Sequence, residues 1–346
     1  MTKIIPLRYS DMAKVRKMIE YVSPGISPDR VNEETFIHFP FNILHGMLPV
    51  NMQFLQECYV AVENKEIFGL ISLAPDGNQK KRRKINRLIL NPDAYDAGKQ
   101  LIDYVVNKYG GAGIETFITT IDENHTEAIA LFKQACSFRG RSKINIYEYK
   151  FSKNTDFPKN TISLRPVQLS DAKKLLELDT DALYPEFRTS LIKTEQDFRF
   201  GLKNKLINKI KGRNIQNFVL DNPAGNSPES FLSVITRDNI NFRVDITLSL
   251  AYQDYFDDIL TFALNYIYSI NPDGKIYTGV SDFRQTSRKM TDVLSLHDFR
   301  ECGNFEVLVK DYWKPAEFLN EKKVPIIIFP DLTTPACNIF PFINDF

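Results

Sequence analysis

Two stretches of the chain begin with the same alternation of apolar and polar residues. Residues 5–11 (IPLRYSD) and 162–171 (ISLRPVQLSD) each place alternating apolar positions before a Ser-Asp pair. This pattern predicts a strand that leads into a capped helix. Apolar residues then recur at helical spacing after both Ser-Asp pairs. The hydrophobic pattern therefore starts again near residue 160.

A longer amphipathic helix in each half supplies a sharper test of this repeat. The first stripe is Leu101, Ile102, Val105, Val106 and Tyr109, and a shift of 161 residues carries it to Phe262, Ala263, Tyr266, Ile267 and Ile270. The same shift carries Phe138 to Phe299. Because two elements share one offset, the sequence predicts a duplicated domain.

The remaining apolar runs of each half predict strands around these helices. Turn residues divide 58–74 and 217–236 into hairpins, and a further strand follows at 84–90 and 242–250. Beyond the helix, each half continues with a strand, a second helix and a last strand. This order predicts an α/β fold in which helices flank a mixed, mostly antiparallel sheet.

The sequence is predicted to divide into two domains and a terminal strap. The domains span 1–152 and 160–314, with a polar linker, FSKNTDFPKNT, at their junction. Residues 315–346 carry many large apolar groups and five prolines, which predicts an extended apolar segment. We expect this strap to pack on one of the domains or on a second subunit, which leaves a homodimer open.

Composition excludes several classes of partner. The 346 residues carry 44 Lys plus Arg against 43 Asp plus Glu, so no global charge favours nucleic acid or an anionic membrane. The N-terminus lacks the apolar run of a signal peptide, and no stretch approaches the roughly 20 apolar residues of a membrane span. We therefore expect a cytoplasmic protein without a nucleic-acid or membrane partner.

Cysteine and histidine spacing argues against metal sites and disulfides. The four cysteines are far apart and form no CxxC motif, and the four histidines form no metal-binding pattern. We expect buried, reduced thiols and no bound metal.

The segment 124–138, NHTEAIALFKQACSF, carries the most specific motif. It resembles the N-x-x-A-x-x-L-Y-x-x-x-G-F helix of the GNAT superfamily of acyl-CoA N-acyltransferases. The spacing predicts Asn124 as the helix N-cap, with Glu127 completing a capping box. The resemblance implies that Asn124 contacts the pantetheine arm of CoA; a helix cap alone is the alternative.

A second segment, 87–106 (RLILNPDAYDAGKQLIDYVV), is similar to the strand, loop and helix that hold CoA in this family. Gly98 keeps the last position of the family's (Q/R)-x-x-G-x-(G/A) loop, whereas Asp96 and Asp93 replace the first glycine and the leading Gln or Arg. The resemblance implies that the pyrophosphate lies over the amides of Ala97, Gly98 and Lys99. The cofactor-binding residues that it implies are Leu88, Ile89, Leu90, Asp96, Ala97, Gly98, Lys99, Asn124 and Phe132.

Several substitutions weaken this resemblance. Carboxylates beside a pyrophosphate are unfavourable unless Lys99 and the basic run 80–84 (KKRRK) offset them; the alternative for that run is a solvated hairpin edge. The tyrosine that commonly protonates the departing thiolate is Phe132 here and Leu294 in the second half, so the catalytic residues stay unknown. Asp257 and Asp258 replace the phosphate loop of the second half, which predicts a degenerate copy.

The resemblance implies two tandem GNAT-like domains. It also implies an N-acetyltransferase that takes acetyl-CoA or CoA as substrate and modifies a small-molecule amine or a peptide. Residues 35–54 occupy the place of the family's acceptor-binding helices, although their aromatic side chains equally suit a core. The competing hypothesis is a catalytically silent protein that uses this fold to bind CoA, a metabolite or a protein.

Overall fold

The computed structural model describes residues 2–11, 13–15, 17, 57–77, 79–92, 94–152, 161–188, 193–201, 214–222 and 225–312. The expected strap at 315–346 and the expected acceptor segment at 35–54 lie outside the described residues, as does Asp93. The described part confirms an α/β fold with a mostly antiparallel strand arrangement.

The described strands are β1 (Lys3–Pro6), β2 (Glu57–Glu63), β3 (Glu66–Asp76), β4 (Gln79–Leu90), β5 (Thr116–Asp122), β6 (Arg139–Lys150), β7 (Arg165–Pro166), β8 (Asn214–Asn222), β9 (Gly225–Thr236), β10 (Asn241–Leu248), β11 (Lys275–Ser281) and β12 (Arg300–Asp311). The described α-helices are α1 (Tyr95–Gly111), α2 (Thr126–Ala130), α3 (Ala172–Asp181), α4 (Pro185–Arg188), α5 (Phe256–Ile270) and α6 (Ser287–Leu296). A π-helical turn, Leu131–Ala135, continues α2.

The chain separates into two compact units that interleave along the sequence. Within the described residues, the first unit takes 2–119, 127–140 and 308–312, and the second takes 120–126 and 141–307. The domain limits inferred from the sequence, 1–152 and 160–314, stay predictions about where the repeat divides.

In the first unit, strands follow the order β1-β2-β3-β4-β5. The β1–β2, β2–β3 and β3–β4 pairs are antiparallel, and β4 pairs with β5 in parallel. Helix α1 buries the whole stripe predicted from the sequence, at Leu101, Ile102, Val105, Val106 and Tyr109. On the other sheet face, Leu7 and Val15 pack against side chains of β2 and β3.

The second unit has the order β6-β11-β10-β9-β8-β7, with β10 and β11 parallel and the other pairs antiparallel. Helix α5 begins 161 residues after α1, at Phe256 against Tyr95, as the repeat predicts. Its stripe is buried at Ala263 and Ile267, whereas Ile270 is 39% exposed at the helix end. The shared offset therefore reflects a shared sequence of elements.

A glycine pair at the end of α1 gives a matched test of packing. A Cβ atom on Gly110 would lie 2.3 Å from Cγ of Tyr312, whereas a Cβ on Gly111 would meet nothing within 4 Å. Because the Tyr312 amide donates to the Glu115 carbonyl at 2.8 Å, the ring is held over Gly110. We expect Gly110→Ala to lower the free energy of unfolding by about 1–3 kcal/mol through overpacking.

Gly111→Ala is the control, since alanine favours a helix over glycine by up to about 1 kcal/mol where space permits. Urea unfolding of both variants checks the difference. Equal stability of the two variants would show that the Tyr312 ring moves aside without cost.

Candidate functional site

The site begins at an open edge of β4 in the first unit. The parallel ladder with β5 ends at the Ile85↔Thr119 pair, although β4 continues to Leu90. On its other side, residues 87–90 stay paired with β3. Within the part of the chain that the structure describes, no strand pairs with the open edge of 86–90. Backbone amides and carbonyls there can therefore pair with an extended ligand.

A β-bulge marks the start of this open edge. The register of β3 against β4 passes from Ser72↔Arg87 to Leu73↔Ile85, so Asn86 is the extra residue. Its side-chain oxygen is buried and has no hydrogen-bond partner within the described ranges. Bulges are frequent beside active sites, because they redirect a strand and end its pairing. The sequence pattern did not indicate Asn86, since a single extra residue leaves little trace in the apolar pattern of a strand.

Gly98 allows neighbouring side chains to pack closely at this site. A Cβ atom there would lie 2.6 Å from Cδ1 of Leu90 and 2.9 Å from Cδ2 of Leu131. The opposite side of Leu90 meets Gly69, whose Cβ would lie 2.7 Å from Cδ2 of Leu90. The two glycines therefore let α1 and β3 approach the end of β4, which brings the start of α1 beside the open edge.

The amides available to an anion differ from those expected. The Gly98 N–H donates to the Ala94 carbonyl at 3.0 Å, so the helical ladder begins there and Gly98 has no spare donor. Among the described residues, which do not include Asp93, no side chain caps α1 at Ala94. The first-turn amides of Tyr95, Asp96 and Ala97 precede that ladder and point out of the helix. Of the expected set Ala97, Gly98 and Lys99, only Ala97 has its amide ahead of this ladder, and the position of the pyrophosphate stays a prediction.

Charges around this helix start are largely committed to other partners. The Lys99 ammonium lies 2.6 Å from the Asp103 carboxylate one turn later, and this hydrogen bond raises the pKa of Lys99. Asp96 is exposed at the helix N-terminus. In this arrangement Lys99 does not offset Asp96, so the acidic character expected of the loop remains.

The basic run 80–84 is only partly a solvated edge. Lys81 is exposed and lies 2.5 Å from Glu115, but Arg82, Arg83 and Lys84 are buried in β4. The Arg82 guanidinium is 2.9 Å from the Asp76 carboxylate, and both side chains are under a tenth exposed. The expectation of a solvated hairpin edge is therefore wrong for the second half of the run.

Asn124 does not cap the following helix. Helix α2 begins at Thr126, and both the backbone N–H and the side-chain amide of Asn124 donate to the same oxygen of Asp122 at 2.9 Å. The predicted capping box with Glu127 is therefore not formed. Asn124 is exposed, so its amide stays accessible to solvent.

Phe132 is a core residue. Its ring is 2% exposed and contacts the Phe138 ring edge-to-face at 5.0 Å between centroids. Leu294, at the matching place in the second unit, is fully buried. Neither side chain can donate a proton, as the sequence indicated.

In the second unit, a strand also continues past the end of its parallel ladder, but acidic side chains lie at the start of the following helix. Its parallel ladder ends at Arg243↔Tyr277, although β10 continues to Leu248. Acidic side chains occupy the start of α5, where Asp254 pairs with Lys289 at 2.8 Å and Asp257 with His297 at 2.5 Å. These carboxylates already use the positive end of the helix, which disfavours a pyrophosphate.

Other expectations about chemistry can be checked across the described ranges. Among the described residues, no cluster of His, Cys, Asp or Glu is arranged to hold a metal ion, and no helix is long and apolar enough to cross a membrane. Cys58 and Cys136 are buried, but Cys302 is exposed, so the expectation of buried thiols is wrong there. Burial raises the pKa of Cys136 to about 11.

Comparisons with known proteins show what the chain and its fold are similar to. Residues 30–138 match the family model described as the acetyltransferase (GNAT) family. A tandem GNAT protein from the clavulanic acid biosynthesis pathway is 13% identical with a TM-score of 0.58, over 91% of this chain and 100% of that chain. A GCN5-related N-acetyltransferase from Sphaerobacter thermophilus is 11% identical with a TM-score of 0.56, over 90% and 96%.

A comparison with curated protein sequences finds no match. At these identities the solved structures establish the fold, which is that of a tandem GNAT protein. The expected tandem GNAT fold is thereby confirmed, and residues 30–138 are similar to the GNAT family.

Proposed function

We propose that this protein transfers an acetyl group from acetyl-CoA to an amine and that its first unit holds the CoA. The observation that carries the proposal is the open edge of β4 at 86–90, beside the start of α1, which no described side chain caps. An extended amide-bearing arm can pair with such an edge, and a pyrophosphate suits a helix N-terminus.

Each part of the site has a distinct task in this proposal. The backbone of Leu88, Ile89 and Leu90 pairs with the pantetheine arm, and the amides of Tyr95, Asp96 and Ala97 face the pyrophosphate. The Asp96 carboxylate opposes binding, because it places a negative charge beside the phosphates. Acetyl-CoA supplies a carbonyl carbon activated by its thioester bond.

Acetyl transfer depends more on placing the amine beside the thioester than on a dedicated proton donor. A neutral amine attacks the carbonyl carbon, the carbon–nitrogen bond forms, and the carbon–sulfur bond breaks to release the CoA thiolate. The amine gives up one proton and the thiolate takes up one, so water can carry the exchange. Because Phe132 cannot donate, we expect slow turnover.

A catalytically silent CoA-binding protein is the second candidate. The buried Phe132, held against Phe138, favours it because a phenol is missing where the family commonly has one. In either case we propose a cytoplasmic protein. For the enzyme, the acceptor is a small-molecule amine or a peptide.

Calorimetric titration of the full chain with acetyl-CoA tests the proposed site. We expect one molecule bound per chain, and tighter binding in Asp96→Asn by about 1 kcal/mol, which is about fivefold. The reason is the loss of one partly screened negative charge beside the pyrophosphate.

Glu115→Gln is the matched control, since Glu115 is exposed beyond the opposite end of α1. Its affinity should equal that of the parent protein. Weaker or unchanged binding in Asp96→Asn would refute the phosphate position. Saturable binding without acetylation across a panel of primary amines would establish the silent candidate instead.

A further inference from the structure

Three charged side chains of the second unit meet where the loop after β11 packs on α3. The Lys193 ammonium lies 2.8 Å and the Arg284 guanidinium 3.1 Å from the same Oδ1 atom of Asp179. The side chain of Asp179 is 5% exposed, that of Lys193 17% and that of Arg284 14%. Two cations thus share one carboxylate oxygen. Asp179, Lys193 and Arg284 together form the Asp179 cluster, which carries an excess positive charge.

Arg284 has a donor that no described atom satisfies. Its Nη1 atom is buried and has no hydrogen-bond partner among the residues that the structure describes. The backbone carbonyls of Asp181 and Leu183 are already used, because the side-chain amide of Gln285 donates to them at 2.9 and 2.6 Å. Arg188 donates to the same two carbonyls at 3.2 and 3.3 Å. A buried guanidinium nitrogen without an acceptor is unfavourable, so the site lacks an oxygen at this point.

Neighbouring carboxylates do not supply that oxygen. The Asp181 side chain is 69% exposed and lies 3.6 Å from Arg188. The Asp282 carboxylate accepts the backbone N–H of Lys143 at 3.0 Å. Both acids are therefore committed elsewhere, and the excess charge of the Asp179 cluster remains.

Aromatic rings lower the polarity around the two cations. The Lys193 ammonium is 5.1 Å from the centroid of the Phe198 ring, and the Arg284 guanidinium carbon is 5.9 Å from that of Phe283. In such surroundings a charge interacts more strongly with a counterion than it does in water.

We propose that the Asp179 cluster binds a small oxyanion, either a carboxylate or a phosphate group, through Nη1 of Arg284 and the ammonium of Lys193. A guanidinium and an ammonium beside the same carboxylate oxygen can offer their remaining N–H groups to such a group in charge-assisted hydrogen bonds. The site lies within the second unit and is independent of the proposed CoA site, so its test needs no acetyl-CoA.

Thermal unfolding of the full chain tests this site. Sodium chloride is replaced stepwise by sodium acetate or by sodium phosphate at constant ionic strength. We expect at least one oxyanion to raise the melting temperature in a saturable manner, because a ligand that binds the folded state stabilises it. Saturation by acetate alone identifies a carboxylate site, and saturation by phosphate alone identifies a phosphate site.

Arg284→Lys keeps the positive charge that faces Asp179 but removes the guanidinium fork. We expect it to weaken the apparent affinity for the oxyanion at least tenfold, and Lys193→Gln, a second variant, to do the same. Arg188→Lys is the control and should bind the oxyanion like the parent. General salt effects would appear equally in all variants, so the control separates them from binding at the Asp179 cluster. No saturable rise with either anion, or an equal rise in Arg284→Lys, would overturn the proposal.

Discussion

Asp179→Asn is expected to lower the free energy of unfolding by about 3–5 kcal/mol, the range for breaking a buried ion pair on one side. The variant leaves the charges of Lys193 and Arg284 buried without their shared carboxylate. Burial opposes ionisation of Asp179, yet its pKa is lowered overall because these two cations stabilise the charged form. The carboxylate is therefore charged at neutral pH, and its loss removes a full ionic interaction.

Asp181→Asn is the matched control two residues along α3. Its side chain is 69% exposed and lies 3.6 Å from Arg188, an arrangement expected to contribute at most about 1 kcal/mol. In urea unfolding, the loss in free energy of unfolding should therefore be several times larger for Asp179→Asn than for Asp181→Asn. If Asp179→Asn cost no more than Asp181→Asn, the Asp179 cluster would be too well hydrated to act as a buried ion pair.

The element order could be predicted from the sequence because it depends on patterns that tertiary packing reinforces. The stripe from Leu101 to Tyr109 is apolar at helical spacing, and α1 buries it completely. Burial of such a face determines where a helix packs, whatever the details of its ends. The offset of 161 residues likewise survives, since α1 and α5 begin at Tyr95 and Phe256.

Local details at the site could not be predicted, because they depend on competing hydrogen bonds of similar strength. Asn124 was expected to cap a helix, but its amide donates to Asp122, and the helix starts two residues later. Both arrangements satisfy the same side chain, so spacing alone cannot separate them. The free amides at the start of α1 differ from the expected ones for a related reason. They depend on which residue makes the first hydrogen bond of the helix.

Long-range pairing explains the buried charges that the sequence pattern could not indicate. The run 80–84 has the composition of a solvated edge, yet Arg82 is buried with Asp76. The cluster at Asp179 joins residues that are 105 positions apart in the chain, at Asp179 and Arg284. No periodicity connects such partners, because they are brought together only when the sheet and its covering helices have formed.

A buried hydrogen-bond network in the first unit predicts loss of stability at alkaline pH. The Tyr59 hydroxyl donates to Glu57 at 2.9 Å, lies 2.7 Å from the Tyr109 hydroxyl and accepts from the Lys108 ammonium at 2.5 Å. The Tyr109 hydroxyl also donates to Glu57. Tyr59 is 2% and Tyr109 7% exposed, and burial is the main cause that raises the pKa of both phenols.

The sign follows from proton binding in the two states. Below the unfolded pKa of about 10, both phenols are protonated in both states, so the network contributes its full stability. Above that pH the unfolded chain loses these protons while the folded chain keeps them. Folding stability should then fall by up to about 1.4 kcal/mol per pH unit for each phenol, or about 2.7 for both, until the folded pKa values are passed.

Urea unfolding between about pH 9 and about pH 11 measures this decline. The double variant Tyr59→Phe, Tyr109→Phe should be less stable than the parent at neutral pH, by about 1–3 kcal/mol for each polar group left without its partner. Above about pH 10 its stability should fall less steeply with pH, because the two phenols no longer titrate. Tyr95→Phe removes an exposed phenol at the start of α1 and should follow the parent's pH dependence. Parallel pH profiles for the parent and the double variant would show that the folded state releases these protons as readily as the unfolded chain, and that the network is open to water.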